Sequence, residues 1–230
     1  MRLHRFIGNF DLRRKEIVLS DKELVNQIKN TLRLKVGDRV ILADGKLNEA
    51  VCEIEKIDKN LVEFSADKIY RNQNEPKRKV IFYCAVLKKE NFEWVAQKAT
   101  EVGVSEIQPI ITSRTVKQKL NLERLQKIIR EAAEQSGRGV VPILREPIDF
   151  KRAAQEAGRN ESNLFFDISG KPALSVIAST INIFIGPEGG WEEKEIELAK
   201  DYEFKIISLG KLTLRAETAA VVSSYLTVNL

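Results

Sequence analysis

A continuous apolar run of eight residues, Val80 to Leu87 (VIFYCAVL), constrains the fold of this chain more than any other feature. Such β-branched and aromatic runs are typical of a strand buried on both faces, as in parallel sheets covered by helices. Further strands are predicted at Ile107–Ile111, Leu164–Asp167, Ile181–Ile185 and Lys205–Leu209, and helices at Asn91–Val102, Leu122–Ser136, Glu192–Tyr202 and Ala216–Val228. Strands that alternate with helices predict an α/β domain with a mostly parallel sheet.

The front of the chain has a different pattern. Short apolar runs at Arg39–Leu42 and Ala50–Ile57 flank Asp44-Gly45, a strong hairpin signal, and Leu61–Ile69 forms a third run. Several short strands with turn residues between them predict a small barrel. The polar, proline-containing segment Arg71–Lys79 is the best linker candidate, so we divide the chain into domains 1–72 and 76–230.

The scarcity of His and Cys argues against zinc sites and against catalysis by a histidine-containing triad. With one His and two Cys in 230 residues, the chain cannot build a Cys/His zinc site, and we expect no metal. His4, near the terminus, is the only imidazole available for a catalytic triad. The first ten residues lack the apolar core of a signal peptide, and the longest apolar run is far too short to span a membrane. We expect a soluble, cytoplasmic protein with no membrane partner.

The positive charge is concentrated at the front. Residues 1–89 hold 20 Lys and Arg against 13 Asp and Glu, whereas residues 90–230 hold 18 against 20. A basic front half favours contact with a polyanion such as RNA. An ordinary solvated surface is the alternative explanation.

A glycine-rich turn follows the predicted strand that ends at Ile185. Gly186-Pro187-Glu188-Gly189-Gly190 lets the backbone approach a ligand closely. The segment matches neither a P-loop nor a dinucleotide-binding motif. Because carboxylates follow it, the turn suits a neutral or cationic ligand better than a phosphate. A tight turn without a ligand is the alternative.

A second loop follows the next strand. It comprises Leu209-Gly210-Lys211-Leu212-Thr213-Leu214 and leads into Arg215 and Glu217. Because ligands bind at the carboxyl ends of strands in open α/β sheets, both loops are predicted to line one pocket. The alternative for Arg215 and Glu217 is a surface ion pair.

Together these residues resemble the RsmE family, the uridine-N3 methyltransferases of small-subunit ribosomal RNA within the SPOUT superfamily. The resemblance rests on four blocks: Ile185-Gly-Pro-Glu-Gly-Gly190, Leu209-Gly-x-x-x-Leu-Arg-x-Glu-Thr-Ala219, Lys98-Ala-Thr-Glu-Val-Gly-Val104 and Glu131-Ala-Ala-Glu-Gln-Ser-Gly-Arg138. It implies an N-terminal PUA-like β-barrel that grips RNA and a C-terminal α/β domain with a deep trefoil knot. It also implies a homodimer that acts on 16S ribosomal RNA.

The resemblance further implies that S-adenosylmethionine is the methyl donor. The two loops would hold it through Ile185, Gly186, Pro187, Glu188, Gly189, Gly190, Leu209, Gly210, Leu212 and Leu214. We expect Arg215 to stabilise negative charge on the uracil, and Glu217 to orient Arg215 or accept the N3 proton.

The RNA-contact candidates are Arg2, Arg5, Arg33 and Arg138. For Arg138 the alternative is a structural network, because it shares one helix stripe with Glu131 and Gln135. Three functions stay open at this point: an rRNA uridine-N3 methyltransferase, a SPOUT methyltransferase for another base or for tRNA, and a non-catalytic RNA-binding protein.

Overall fold

The computed structural model describes residues 3–115, 119–158, 162–172 and 178–229. The chain forms two compact units. The first runs to Glu75 and also contains Ala133–Val141, and the second holds Pro76–Ala132 and the chain from Pro142 onward. The predicted division at residues 72 and 76 placed Ala133–Val141 in the second domain, whereas the structure assigns that segment to the first unit.

The first unit is built on a five-stranded sheet in the order β1-β3-β4-β5-β2. Its elements are β1 (His4–Ile7), β2 (Glu16–Leu19), α1 (Lys22–Asn26), a π-helical turn (Gln27–Thr31), β3 (Arg39–Ala43), β4 (Asn48–Ile57) and β5 (Val62–Arg71). The predicted hairpin is confirmed as the antiparallel pair β3–β4. Asp44 closes its turn, because its carboxylate accepts bonds from the Lys46 and Asn48 amides at 2.7 and 3.1 Å.

The second unit is built on a seven-stranded sheet in the order β12-β10-β11-β6-β7-β8, with β9 also paired to β7. Each of these pairs is parallel, which confirms the predicted α/β class. Its elements are β6 (Lys79–Ala85), α2 (Lys89–Val102), β7 (Glu106–Ile111), α3 (Leu122–Ser136), β8 (Ile143–Leu144), β9 (Ile148–Asp149), α4 (Phe150–Ala157), β10 (Asn163–Lys171), β11 (Thr180–Ile185), α5 (Glu193–Asp201), β12 (Lys205–Ile207) and α6 (Ala216–Val228). Residues 133–136 of α3 belong to the first unit.

Most of the apolar run Val80–Leu87 lies in β6, which ends at Ala85 and is placed between β7 and β11 in the sheet. Val80, Phe82 and Cys84 on one face have no exposed surface, and Tyr83 and Ala85 on the other face are 6% and 0% exposed, as expected for a strand covered on both faces. Helix α2 ends where predicted, at Gly103, which takes the left-handed conformation with φ of 106°.

No helix in the described part of the chain combines the length and apolar character needed to cross a membrane. The trefoil knot that the family resemblance implies stays a prediction.

Candidate functional site

A cavity of about 700 Å³ opens at the carboxyl ends of β10, β11 and β12 in the second unit. This volume is in the range of small-molecule and cofactor sites. Its walls include Ile185, Gly186, Pro187, Glu188, Gly189, Gly190, Leu209, Gly210, Leu212, Leu214, Arg215 and Glu217. The two loops predicted to share a pocket therefore do so, and every residue predicted for the donor and for catalysis lies on it.

The order of the strands explains why distant segments meet here. Strand β10 lies between β11 and β12 and runs parallel to both. Residue Phe166 of β10 is in register with Ile185 at the end of β11 and with Ile207 at the end of β12. The loops that follow β11 and β12 thus leave the sheet at the same level, on either side of β10.

The glycine-rich loop is shaped by close packing against Trp191. A Cβ on Gly186 would lie 2.9 Å from the indole ring, closer than real side-chain contacts allow. The same edge of the indole is held in place, because its Nε1 donates to the carbonyl of Phe166 at 3.1 Å. Trp191 is 6% exposed and also packs on Phe165, with ring centroids 4.3 Å apart. Only glycine at position 186 lets the tryptophan fix this loop to β10.

Arg114 holds the loop from another direction. Its Nη1 donates to the Gly189 carbonyl at 2.8 Å. The turn that carries Arg114 is itself anchored, because the Ser113 amide donates to the buried Glu195 carboxylate at 2.9 Å. The other oxygen of Glu195 accepts from the Glu192 amide at 2.8 Å and completes a capping box at the start of α5. The acidic residues that follow the glycines therefore also stabilise the loop.

Sequence reasoning missed four side chains at this site. Lys88, Asn91 and Asp167 line the cavity, and Arg114 contacts its glycine-rich loop. Lys88 and Arg114 lie just beyond the carboxyl ends of β6 and β7, and Asn91 lies in the first turn of α2. Asp167 lies within β10, directly after Phe166, the last residue that pairs with β11. The signal that could have found them is this position, because the ends of parallel strands meet at one edge of a sheet.

Arg215 and Glu217 stand at the start of α6. The Arg215 side chain is 87% exposed, whereas that of Glu217 is 18% exposed. Arg215 Nη1 lies 4.0 Å from Glu217 Oε1, at the limit for an ion pair. Water screens so exposed a pair, and its contribution to stability is small. The guanidinium is therefore available to a ligand at the mouth of the cavity.

Two protonatable side chains of β6 cannot act as bases near neutral pH. Burial raises the pKa of the Cys84 thiol far above its usual range, and the Glu188 carboxylate raises it further. Burial also raises the pKa of Tyr83 to about 12, and its ring stacks on Phe184 with centroids 4.4 Å apart. The candidate proton acceptors are instead the carboxylates of the cavity wall, those of Asp167, Glu188 and Glu217.

The structure separates the predicted RNA contacts of the first unit. Arg2 lies outside the described residues. Arg5 forms an ion pair with the buried Glu49, and its side chain is 11% exposed. Arg138 is 6% exposed and bonds to the Glu75 carboxylate through Nε at 3.3 Å and Nη2 at 2.8 Å. Buried pairing of this kind argues against contact with RNA for Arg5 and Arg138, and favours the structural network for Arg138. Arg33 is exposed and stays a predicted contact.

Within the described ranges, no group of three or more His, Cys, Asp or Glu side chains is placed to hold a metal ion.

Comparison with known proteins points to one class of enzyme. Residues 73–227 match the family described as RNA methyltransferase domain, and residues 21–66 match the RNA methyltransferase PUA domain. A ribosomal RNA small subunit methyltransferase E from Rickettsia conorii is 32% identical over 216 residues, 90% of this chain and 86% of that protein. One from Mesomycoplasma hyopneumoniae is 38% identical over 159 residues, 66% and 70% of the two chains. The crystal structure of a ribosomal RNA small subunit methyltransferase E from Neisseria gonorrhoeae, bound to S-adenosyl methionine, has a TM-score of 0.90 and 26% identity, covering 99% of this chain and 98% of that one.

Proposed function

We propose that this chain, which belongs to the RNA methyltransferase family, transfers a methyl group from S-adenosylmethionine to N3 of a uridine in 16S ribosomal RNA. One observation carries the proposal. Both glycine-bearing loops, Arg215 and Glu217 line a single cavity at the carboxyl ends of neighbouring parallel strands. Relatives named for ribosomal RNA methylation, one of them with S-adenosyl methionine bound, support the choice of donor and substrate. The cytoplasm, where ribosomal subunits reside, is the compartment that this function requires.

The cavity fits the proposed donor in shape and charge. A Cβ placed on Gly190 or Gly210 would meet no atom within 4 Å, so the backbone of both loops faces open space. Both residues have positive φ, 70° and 130°, which favours glycine. The carboxylates of Asp167, Glu188 and Glu217 suit the cationic sulfonium and ammonium groups, and no phosphate has to be accommodated. S-adenosylmethionine supplies an electrophilic methyl group on sulfur.

The chain's own residues would act on the uracil. The N3 proton has a pKa near that of a phenol, about 10, so removing it leaves negative charge on the flanking carbonyl oxygens. The Arg215 guanidinium at the cavity mouth would stabilise that charge. RNA bound over the mouth would exclude water from Arg215 and strengthen this attraction. Glu217, which is largely buried beside it, would orient Arg215 or accept the proton.

We also infer that the first unit grips the RNA. Its match to an RNA methyltransferase PUA domain and the basic character of residues 1–89 support this role. Arg33, Lys35 and Val36 form an exposed segment just before β3, where a phosphate can be reached.

A homodimer is part of the proposal. Val222, Tyr225 and Leu226 are 37%, 57% and 39% exposed, and their spacing places them on one face of α6. Trp94 on α2, the helix that packs against α6, is 43% exposed. An apolar face of this kind suits a second copy of the chain. Sedimentation velocity should show a dimer, and Tyr225→Glu should shift it to monomer; a monomeric wild type would refute this part.

The test of function is to incubate the purified protein and S-adenosylmethionine with two substrates, protein-free 16S rRNA and assembled small subunits, both from cells that lack the modification. Nucleoside mass spectrometry should detect 3-methyluridine at one position. A different methylated nucleoside, or methylation of tRNA alone, would overturn the base or substrate assignment. Donor binding without any methyl transfer would indicate a non-catalytic protein.

A further inference from the structure

We infer that Asp167 binds the ribose hydroxyls of the methyl donor, an inference that rests on the proposed function. Asp167 follows Phe166, the residue of β10 that is in register with the ends of both β11 and β12. It therefore leaves the sheet between the two glycine-bearing loops, and its side chain lines the cavity. No other acidic side chain of the cavity wall comes from this central strand.

The backbone after Asp167 is shaped to present the carboxylate. Phe166 and Lys171 both pair with Ile207, so the four residues between them bulge out of the strand. The chain returns closely at Gly170, where a Cβ would lie 2.6 Å from the backbone of Ile207. Such bulges re-aim side chains next to active sites.

One oxygen of the Asp167 carboxylate is held by hydrogen bonds, and the other remains able to accept them from a ligand. Oδ1 of Asp167 accepts bonds from the Ser169 amide at 2.9 Å and from the Ser169 hydroxyl at 2.6 Å. Among the described residues no donor reaches Oδ2. A half-buried carboxylate held in this way retains acceptor positions for a ligand.

The ribose diol is the donor group that best fits this position. In dinucleotide-binding sheets, an acidic residue that follows the glycine-rich turn binds ribose hydroxyls while the turn approaches the cofactor backbone. Here the glycine-rich loop follows β11, and Asp167 of the adjacent β10 comes directly after the last residue that pairs with β11. The apolar side chains of Phe166, Ile185 and Ile207 suit the purine, whereas Glu188 and Glu217 on the flanking loops suit the cationic groups.

Calorimetric titration of Asp167→Asn tests the contact without measuring activity. The probes are S-adenosylhomocysteine, 5′-methylthioadenosine and the 2′,3′-dideoxy form of the latter. We expect the variant to bind the first two compounds more weakly by the same factor, about tenfold or more, since it loses hydrogen bonds to a charged acceptor. The dideoxy compound should bind wild type and variant equally. Asp167→Ser gives the same readout should the Asn variant fail to fold.

Each other outcome overturns the inference. Weaker binding of S-adenosylhomocysteine alone would place Asp167 on the amino-acid part of the donor. Equal loss for the dideoxy compound would place it on adenine, and unchanged binding of all three would exclude contact. Glu193→Gln, which removes a carboxylate from α5 outside the cavity wall, is the matched control and should change nothing. Wild-type protein that binds none of the compounds would refute the proposed donor itself.

Discussion

The packing of Trp191 on Gly186 predicts that one added methyl group distorts the glycine-rich loop. In Gly186→Ala, the new Cβ would stand 2.9 Å from Cε2 and Nε1 of the indole and 3.2 Å from Cδ1. Carbon atoms pack best at about 3.5–4.0 Å, so the ring must move by roughly half an ångström or more. Its bond to the Phe166 carbonyl and its contacts with Phe165 and Phe150 oppose that movement.

The cost follows from these contacts. Overpacking a buried site costs about 1–3 kcal/mol, and losing the indole hydrogen bond adds about 1 kcal/mol. We therefore expect the variant to be less stable by about 2–4 kcal/mol, which lowers the unfolding midpoint by roughly 5–15 °C. Thermal unfolding followed by circular dichroism measures this shift, and calorimetry should show weaker binding of S-adenosylhomocysteine.

Gly189→Ala is the matched control in the same loop. A Cβ there would meet the Arg114 side chain at 3.4 Å, an ordinary contact, and we expect a midpoint within about 2 °C of wild type. In a Trp191→Leu background, Gly186→Ala should cost much less, because the clashing ring is gone. Equal destabilisation by the two alanine variants in the wild-type background would refute the reasoning.

Three further predictions concern catalysis, pH and RNA. Arg215→Ala should lower the methylation rate about 100- to 1,000-fold in single-turnover assays while S-adenosylhomocysteine binding changes less than about threefold; an unchanged rate would exclude the electrostatic role. Burial raises the pKa of Cys52 to about 11 and the pKa of Tyr83 to about 12. Both groups lose their protons more readily in the unfolded chain, so the free energy of unfolding is highest below about pH 9 and falls as the pH rises toward 12. Denaturant titrations from pH 8 to 12 should show this decline, and Cys52→Ala should make it shallower between pH 9 and 11. Arg33→Ala should weaken RNA binding in filter assays and reduce its salt dependence by about one counterion, whereas Arg138→Ala should instead destabilise the protein by about 3 kcal/mol; the reverse pattern would contradict the buried pairing of Arg138.

Long elements with clear periodicity could be predicted from the sequence. Helix α3 begins at Leu122 and ends at Ser136 as its apolar stripe predicts. The strand predicted over Val80–Leu87 is present as Lys79–Ala85, two residues shorter at its end, and the hairpin at Asp44-Gly45 is confirmed. Each has a local signal that packing reinforces. The strands β8 and β9 have only two residues each, too few to show an alternating pattern, and they could not be predicted.

The residues of the site could be predicted from the sequence where they form a continuous motif. The two glycine-bearing loops met that condition, and both line the cavity. Asp167 and Arg114 did not, because each is a single polar residue whose place at the site depends on which strands lie beside its own. Arg138 was predicted to contact RNA because it is basic. Its guanidinium is instead buried and paired with the Glu75 carboxylate, which the sequence alone does not reveal.

The first unit is built from two separate stretches of the chain, which limits how it can be truncated and when it can fold during synthesis. Glu134 accepts a bond from the Ile7 amide at 2.8 Å, and the Gly137 carbonyl accepts one from Asn72 at 3.1 Å. Ala133 also packs with Ile7 and Ala43. A fragment that stops at Glu75 would leave these groups uncovered, so the first unit cannot be excised as a contiguous piece. During synthesis it cannot be completed until Val141 has left the ribosome, and by then the Pro76–Ala132 part of the other unit has already emerged.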